Sequence, residues 1–537
     1  MNAKRLIAFG GIGCLGVIVL LVAGIIVAGV LAKRALSPEK VKPMVEQKLS
    51  AALGKPVTVG SIGFSFFPVP KVVASDIKAG SAGSAAPSLS LKSVEVIPNI
   101  MSLFSGAVII DKVELKGLDA SVLRDRSGRW ILPVSPPSDT PAPGASSGPS
   151  PIVRDIRLSG STFRMVDQVM KSPSGSHEVA VVSDIAARIS AEGGTAKIEE
   201  MDAKLGSTGV KGSAEVGSKE TVLKIEANSL ENRDLPALMA LIGMEPIAGL
   251  SISGKVPLKA ELHIPSGNEP ISATGHASVE KLKLGTMEIG KVEAPFQLSR
   301  GVVTLKPFTF EAYKGREKGT VSLNLNRTPL SYSIHTSLDG LDVNDALSAN
   351  TSAKDFLYGT AKADGDVHGA GFDQGALTKN LGGDAFISVV DGMLKNFPLL
   401  ARINQALHIT QGNDKDTKFD SLTGHFAIAS GKAHTEDLLL KAGELNVAAK
   451  GDVNLNLTLD MKGTATFSPA KSKELTHSLS ELSRLTNDKG ELELPLVISG
   501  PISSPNINVD ITGALKKGVT GEIKDKLKDK LKGLFGG

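Results

Sequence analysis

The residues able to do chemistry are few in this chain, and their spacing works against most of the chemistry they could do. Cys14 is the single cysteine, and the nine histidines are scattered, with no two of them three to five apart. The helical ligand pair and the Cys/His cluster of a metal site are therefore both missing. His425 and His434 are nine apart and fall on different predicted strands. Asp364-Gly365-Asp366 matches a fragment of a calcium-loop pattern, but the remaining loop positions are absent and a turn is the expectation. Glu436 and Asp437 are adjacent, and neighbours on a strand face opposite sides, so they cannot act together as a carboxylate pair. Gly144-Ala145-Ser146-Ser147-Gly148 has the form of a nucleophile elbow, yet no strand precedes it and no helix follows. Gly11-Ile12-Gly13-Cys14-Leu15-Gly16 has the form of a dinucleotide fingerprint, which must join a strand to a helix, and here lies inside an uncharged apolar run. No Walker motif is present. The expectation is a protein that is not an enzyme, with no catalytic residue, cofactor or metal. An enzyme whose site is assembled from distant residues is the competing reading.

That apolar run is the most distinctive element. Leu6 to Ala32 contains no charged residue and, as a helix, measures about 40 Å against a hydrocarbon core of roughly 30 Å. It is expected to be a transmembrane anchor, with Leu6, Ile12, Val17, Leu20, Ile25 and Val30 among its anchoring residues. It is longer than the apolar part of a cleaved signal peptide, although Val30 and Ala32 would suit a cleavage site. Lys4 and Arg5 precede the run, and Lys33, Arg34, Lys40, Lys42 and Lys48 follow it. Charge leaves the orientation open, because long domains cross membranes largely regardless of flanking charge.

Beyond the anchor the dominant signal is period-two alternation, the mark of strands with one apolar face. Val321, Leu323 and Leu325 alternate with polar residues, and Tyr332, Ile334 and Thr336 follow a Thr-Pro turn. Leu445, Val447 and Ala449 precede an expected turn at Lys450-Gly451-Asp452, after which Val453, Leu455, Leu457, Leu459 and Met461 alternate again. Ile507, Val509 and Ile511 close the series. Glycine, at 57 residues, punctuates the runs as antiparallel hairpins require. Helices are short. Ser37-Pro38-Glu39 starts one whose stripe is Val41, Met44, Val45, Leu49 and Leu53, stopping at Gly54. Asp234 is placed to cap Leu235–Ile242, and a third helix is expected within Asn396 to Leu407. Alternating strands commonly pack face to face, so a chain of β-sandwiches is the first alternative to a single open sheet.

Three stretches resemble the AsmA family of bacterial envelope proteins. The first is the anchor followed by Ala52-Leu53-Gly54-Lys55-Pro56-Val57-Thr58-Val59-Gly60 and Phe64-Ser65-Phe66-Phe67-Pro68. The second runs from Gly106-Ala107-Val108-Ile109-Ile110 through Val113-Glu114-Leu115 to Asp125-Arg126-Ser127-Gly128-Arg129-Trp130. The third leads from Phe419-Asp420-Ser421-Leu422 through Gly431 and Asp437-Leu438 to Leu494-Pro495-Leu496-Val497-Ile498-Ser499-Gly500, Ile502 and Pro505. Residues from about Ser159 to Gly369 match in strand character alone. The resemblance implies an inner-membrane anchor and a periplasmic, elongated, curled antiparallel sheet forming a hydrophobic groove. It also implies a part in moving phospholipid between inner and outer membranes and in outer-membrane biogenesis. The candidate groove face is Leu323, Leu325, Val453, Leu455, Leu457 and Leu459.

The resulting organisation is an anchor (1–36), an N-terminal region (37–134), a Pro/Ser-rich linker or loop (135–151), a middle β region (152–370), a C-terminal β region (371–511) and an amphipathic helix (512–537). In the last, Val519, Ile523, Leu527 and Leu531 recur every four residues. This face would either lie on anionic lipid or a partner, or cap the edge of the final sheet. Its lysines account for the whole net charge of +4. The rest is balanced and poor in aromatics, so membrane lipids are the expected partners, together with outer- or inner-membrane proteins, and not nucleic acid. A factor that assembles outer-membrane proteins without carrying lipid remains the alternative function.

Overall fold

The computed structural model describes residues 38–509, apart from residues 66, 80–86, 105–108, 134–151, 171, 173, 193–194, 243–244, 248–249, 266–268, 328, 352 and 407–414. The anchor residues Leu6, Ile12, Val17, Leu20, Ile25 and Val30 and the tail residues Val519, Ile523, Leu527 and Leu531 lie outside the described residues. Among the described residues, no helix is long and apolar enough to cross a membrane.

The protein is mainly β, with a few short helices, as alternation and glycine content require. The first helix, Pro38–Leu53, buries Val41, Val45, Leu49 and Leu53, an i, i+4 stripe, and ends at Gly54 with φ +63°. Met44 departs from that stripe and is exposed, because the repeat of four turns position 44 away from the sheet. Leu399–Ala406 is helical within the expected range, with the Pro398 carbonyl accepting from the Arg402 N–H at 2.9 Å. Asp234 precedes the helix Leu235–Leu241 but does not cap it through its side chain. One of its oxygens instead accepts from the N–H and hydroxyl of both Ser207 and Thr208, at 2.8–3.0 Å, tying the helix to the hairpin at Gly206.

The residues form two compact units, one running to Glu280 with Pro295–Val303, the other Lys281–Ala294 with Thr304 onward. In the first unit, cross-strand register links Val72, Val96, Val113, Ile156, Ile189, Ile198, Ala214, Leu223, Leu262 and Ala273 in one row across ten strands. The unit is therefore built on a single sheet, not on two facing ones. The row from Val72 to Ala214 is buried and packs in one cluster with the first helix.

The sheet is not purely antiparallel, which corrects one expectation. The strand Ile109–Arg124 runs antiparallel to Leu89–Pro98 on one side and parallel to Ile156–Asp167 on the other. Parallel neighbours need a long return connection. The Pro/Ser-rich stretch lies in that connection, between the strand end at Arg124 and the strand Ile152–Val153, which pairs parallel with Ile109 and Ile110.

Candidate functional site

In the second unit one row can be followed through nine strands: Val321, Ile334, Val367, Gly383, Ile428, Ala433, Val453, Leu459 and Gly500. Directly paired residues project to the same side of a sheet. The row is thus one apolar band laid across the strands, and every member of it is only part-buried. A second row on the same face, nearer the other strand ends, links Ala361, Val389, Leu422, Leu440, Val447, Ala465 and Leu494. Six of these seven are buried, Ala465 and Leu494 completely, in a core shared with helix residues Val343, Leu399, Ile403 and Leu475. One end of the apolar face is therefore roofed by helices and the other is open.

The opposite face is polar. The neighbouring row reads Thr320, His335, Asp366, Asp384, Ala427, His434, Asp452, Asp460 and Ser499. The histidines pair with carboxylates there. His434 Nδ1 lies 2.7 Å from Asp452 and its Nε2 3.0 Å from Glu436, and bonds to these two acids raise its pKa above the ordinary histidine value. His425 bonds Asp437 through both its backbone N–H, at 2.8 Å, and its ring Nδ1, at 2.6 Å. These bonds hold the Asp437 carboxyl below the usual carboxylate range. Glu436 and Asp437 thus serve different histidines. Asp364 and Asp366 lie within the strand Leu357–Ala370, which corrects the expected turn. Asp366 sits 3.1 Å from His335. Among the described residues no group of three or more His, Cys, Asp or Glu could hold a metal ion.

The structure separates the residues proposed for the groove. Leu323 lies on the strand Gly315–Asn324 opposite Tyr332, on the apolar face, and Val453 and Leu459 belong to the open row. Leu325, Leu455 and Leu457 are in turns and leave that face. The strand Leu445–Asn454 runs straight through Lys450-Gly451-Asp452, because Gly451, at φ +139°, lets the neighbouring strand approach: a Cβ there would meet the Asp460 carbonyl at 2.3 Å. The turn falls instead at Leu455–Leu457. Asn454 Nδ2 donates to Thr458, Asn456 Oδ1 accepts from the Thr458 N–H at 3.1 Å, and Leu457 takes φ +62°. Asparagine side chains that bond nearby backbone compete with a strand ladder, and here they win. Leu455 is 44% exposed. Leu455→Ser should therefore leave stability within about 0.5 kcal/mol of the parent in urea unfolding, the usual range for an unencumbered surface site.

One residue of the apolar face escaped the sequence reading. Glu317 pairs with Leu338, which pairs with Ala363, between the open and roofed rows. It is buried, and its Oε1 has no hydrogen-bond partner. Burial pushes its carboxyl up to about 7; a backbone bond from Ser337 opposes this, Asp364 adds to it and His335 slightly reduces it. The signal was available in the phase of the alternation, since Glu317 stands two and three apolar steps before Val321 and Leu323. The first unit holds a small apolar crevice lined by Leu49, Leu53, Ile77, Ala79, Leu89 and Leu91, of about 20 Å³. That is room for about one water, and no acyl chain fits it.

Fold and site together define a mainly β protein with a long, partly open apolar sheet face. The profile of the AsmA family matches residues 3–172 and 271–438, and the chain belongs to that family, which is an envelope family. The match includes residues 271–369, where the sequence alone offered only strand character, and does not extend to the Leu494–Gly500 motif. No curated protein matches the chain.

Proposed function

We propose that this protein is anchored in the inner membrane by Leu6–Ala32, holds the bulk of its chain in the periplasm, and shields phospholipid acyl chains on the open apolar face as they pass between the inner and outer membranes. The observation that carries this reading is the row from Val321 to Leu459, apolar across eight strands and part-buried throughout. Exposing an acyl chain to water costs about 0.8 kcal/mol per CH₂, so a band of apolar side chains gains by covering it while the head group stays wet. Shielding of this kind needs no catalytic group. Membership of an envelope family supports the location and the lipid role. The lipid would run downhill or draw its energy from another component.

Native mass spectrometry of the full-length protein tests the reading. Phospholipid should remain on the protein under conditions that strip detergent. A bare chain, from preparations made in lipid-rich detergent, would refute lipid carriage and favour the assembly-factor alternative.

A further inference from the structure

At one end of the first unit three large apolar side chains stand in solvent: Phe67 is 87% exposed, Met101 78% and Val69 46%. Register brings them to the same end. Ser65 pairs with Lys71, so the connection carrying Phe67 and Val69 turns there. Val72 pairs with Val96, so the strand Leu89–Pro98 finishes beside that connection and leads into Ile100–Phe104, which carries Met101.

The first helix points its start toward this end. The Ser50 hydroxyl accepts from the Val57 N–H, Glu46 Oε1 accepts from the Val59 N–H, and Lys42 Nζ donates to the Gly60 carbonyl. Moving back along the helix therefore moves forward along the chain toward Ser61–Ser65, the strand that ends at the Phe67 connection. Upstream of Pro38 the uncharged run ends at Ala32, leaving residues 33–37 as the link. Five extended residues reach at most about 17 Å. An anchor in the bilayer would hold this end of the unit at the membrane surface.

We infer that Phe67, Val69 and Met101 insert into the phospholipid interface beside the anchor and seat the first unit on the bilayer. The inference rests on the anchor reading proposed above. An aromatic ring and a flexible methionine suit the level between head groups and acyl chains. Lys33, Arg34, Lys40 and Lys42 lie next to that level in the sequence and would attract anionic head groups. Seated in this way, the sheet would begin at the lipid surface instead of hanging from a tether.

The test uses the full-length chain in a Trp130→Phe background, with one tryptophan introduced at a time by Phe67→Trp, Met101→Trp, Leu20→Trp or Thr320→Trp. Each protein is reconstituted into phosphatidylethanolamine/phosphatidylglycerol vesicles with and without acyl-brominated lipid. Bromine should quench positions 67 and 101 by about twofold or more, as an interfacial ring requires, while Thr320→Trp, on the polar face of the second unit, stays unquenched. Unquenched emission at 67 and 101 with Leu20→Trp still quenched overturns the proposal and leaves the anchor standing. Unquenched emission at all three overturns both. A blue-shifted, bromine-insensitive signal at 67 assigns the patch to a protein partner and also overturns the proposal.

Discussion

Val367→Asp should strip bound phospholipid from the full-length protein and leave it folded. Val367 lies in the middle of the open row, paired with Ile334 on one side and Gly383 on the other. A carboxylate there would keep water on the band and push acyl methylenes off it. Losing contact with three or four methylenes costs about 2–3 kcal/mol, or roughly 30- to 150-fold in affinity. The folding cost is smaller, about 1 kcal/mol, because the site is part-exposed and the new charge stays hydrated. Thr320→Asp is the matched control. It puts the same charge on the polar face, in the row of His335 and Asp366, and should leave lipid content unchanged. Val389→Asp is the contrasting case: Val389 is buried under the helices, and an unpaired charge there should unfold the second unit. Copurified lipid by native mass spectrometry and transfer between vesicles are the readouts. Parent-level lipid on Val367→Asp, or equal loss with Thr320→Asp, would sink the assignment of this face.

Much of this architecture could be read from residue order, and what could not has definite physical causes. Alternation revealed strands because only one face of each is apolar, and the stripe of the first helix followed from its spacing of four. Register was not legible: that Val321, Ile334, Val367 and Ile428 form one band depends on pairings between segments as much as 45 positions apart, as for Gly383 and Ile428. The parallel neighbour of Ile109–Arg124 was hidden for the same reason. Leu455 and Leu457 misled because alternation continued through a turn, where Asn454 and Asn456 had the stronger local claim. Asp364 and Asp366 looked like a turn because of the glycine between them. That glycine is needed for close strand approach, since a Cβ at Gly365 would meet the Asp384 carbonyl at 2.6 Å. Glu317 is hidden by its type, since a charged residue ordinarily faces water, although its phase places it with the apolar set.

Glu317→Gln should remove a loss of stability that the parent suffers as the pH rises through neutrality. The Glu317 carboxyl is buried on the apolar side of its strand, with Oε1 unpaired. Its folded pKa, about 7, is above the ordinary value of 4.5. Below the ordinary value it is protonated in folded and unfolded chains alike and costs nothing extra. Between the two values the folded chain holds a proton that the unfolded chain gives up, so stability falls with rising pH. Above about 7 the folded chain carries a buried carboxylate, and the accumulated loss is on the order of 3 kcal/mol. Glutamine keeps the shape and cannot ionise, so the variant should match the parent near pH 4.5 and exceed it by about 2–3 kcal/mol at pH 8. The other titrating groups, His434 among them, are present in both proteins and cancel in the difference. Urea unfolding at both pH values measures it. All three tyrosines fall in the second unit, so their emission in a Trp130→Phe background reports the part of the chain that holds Glu317. Parallel pH profiles for parent and variant would show that this carboxyl is already ionised, or solvated, in the folded protein.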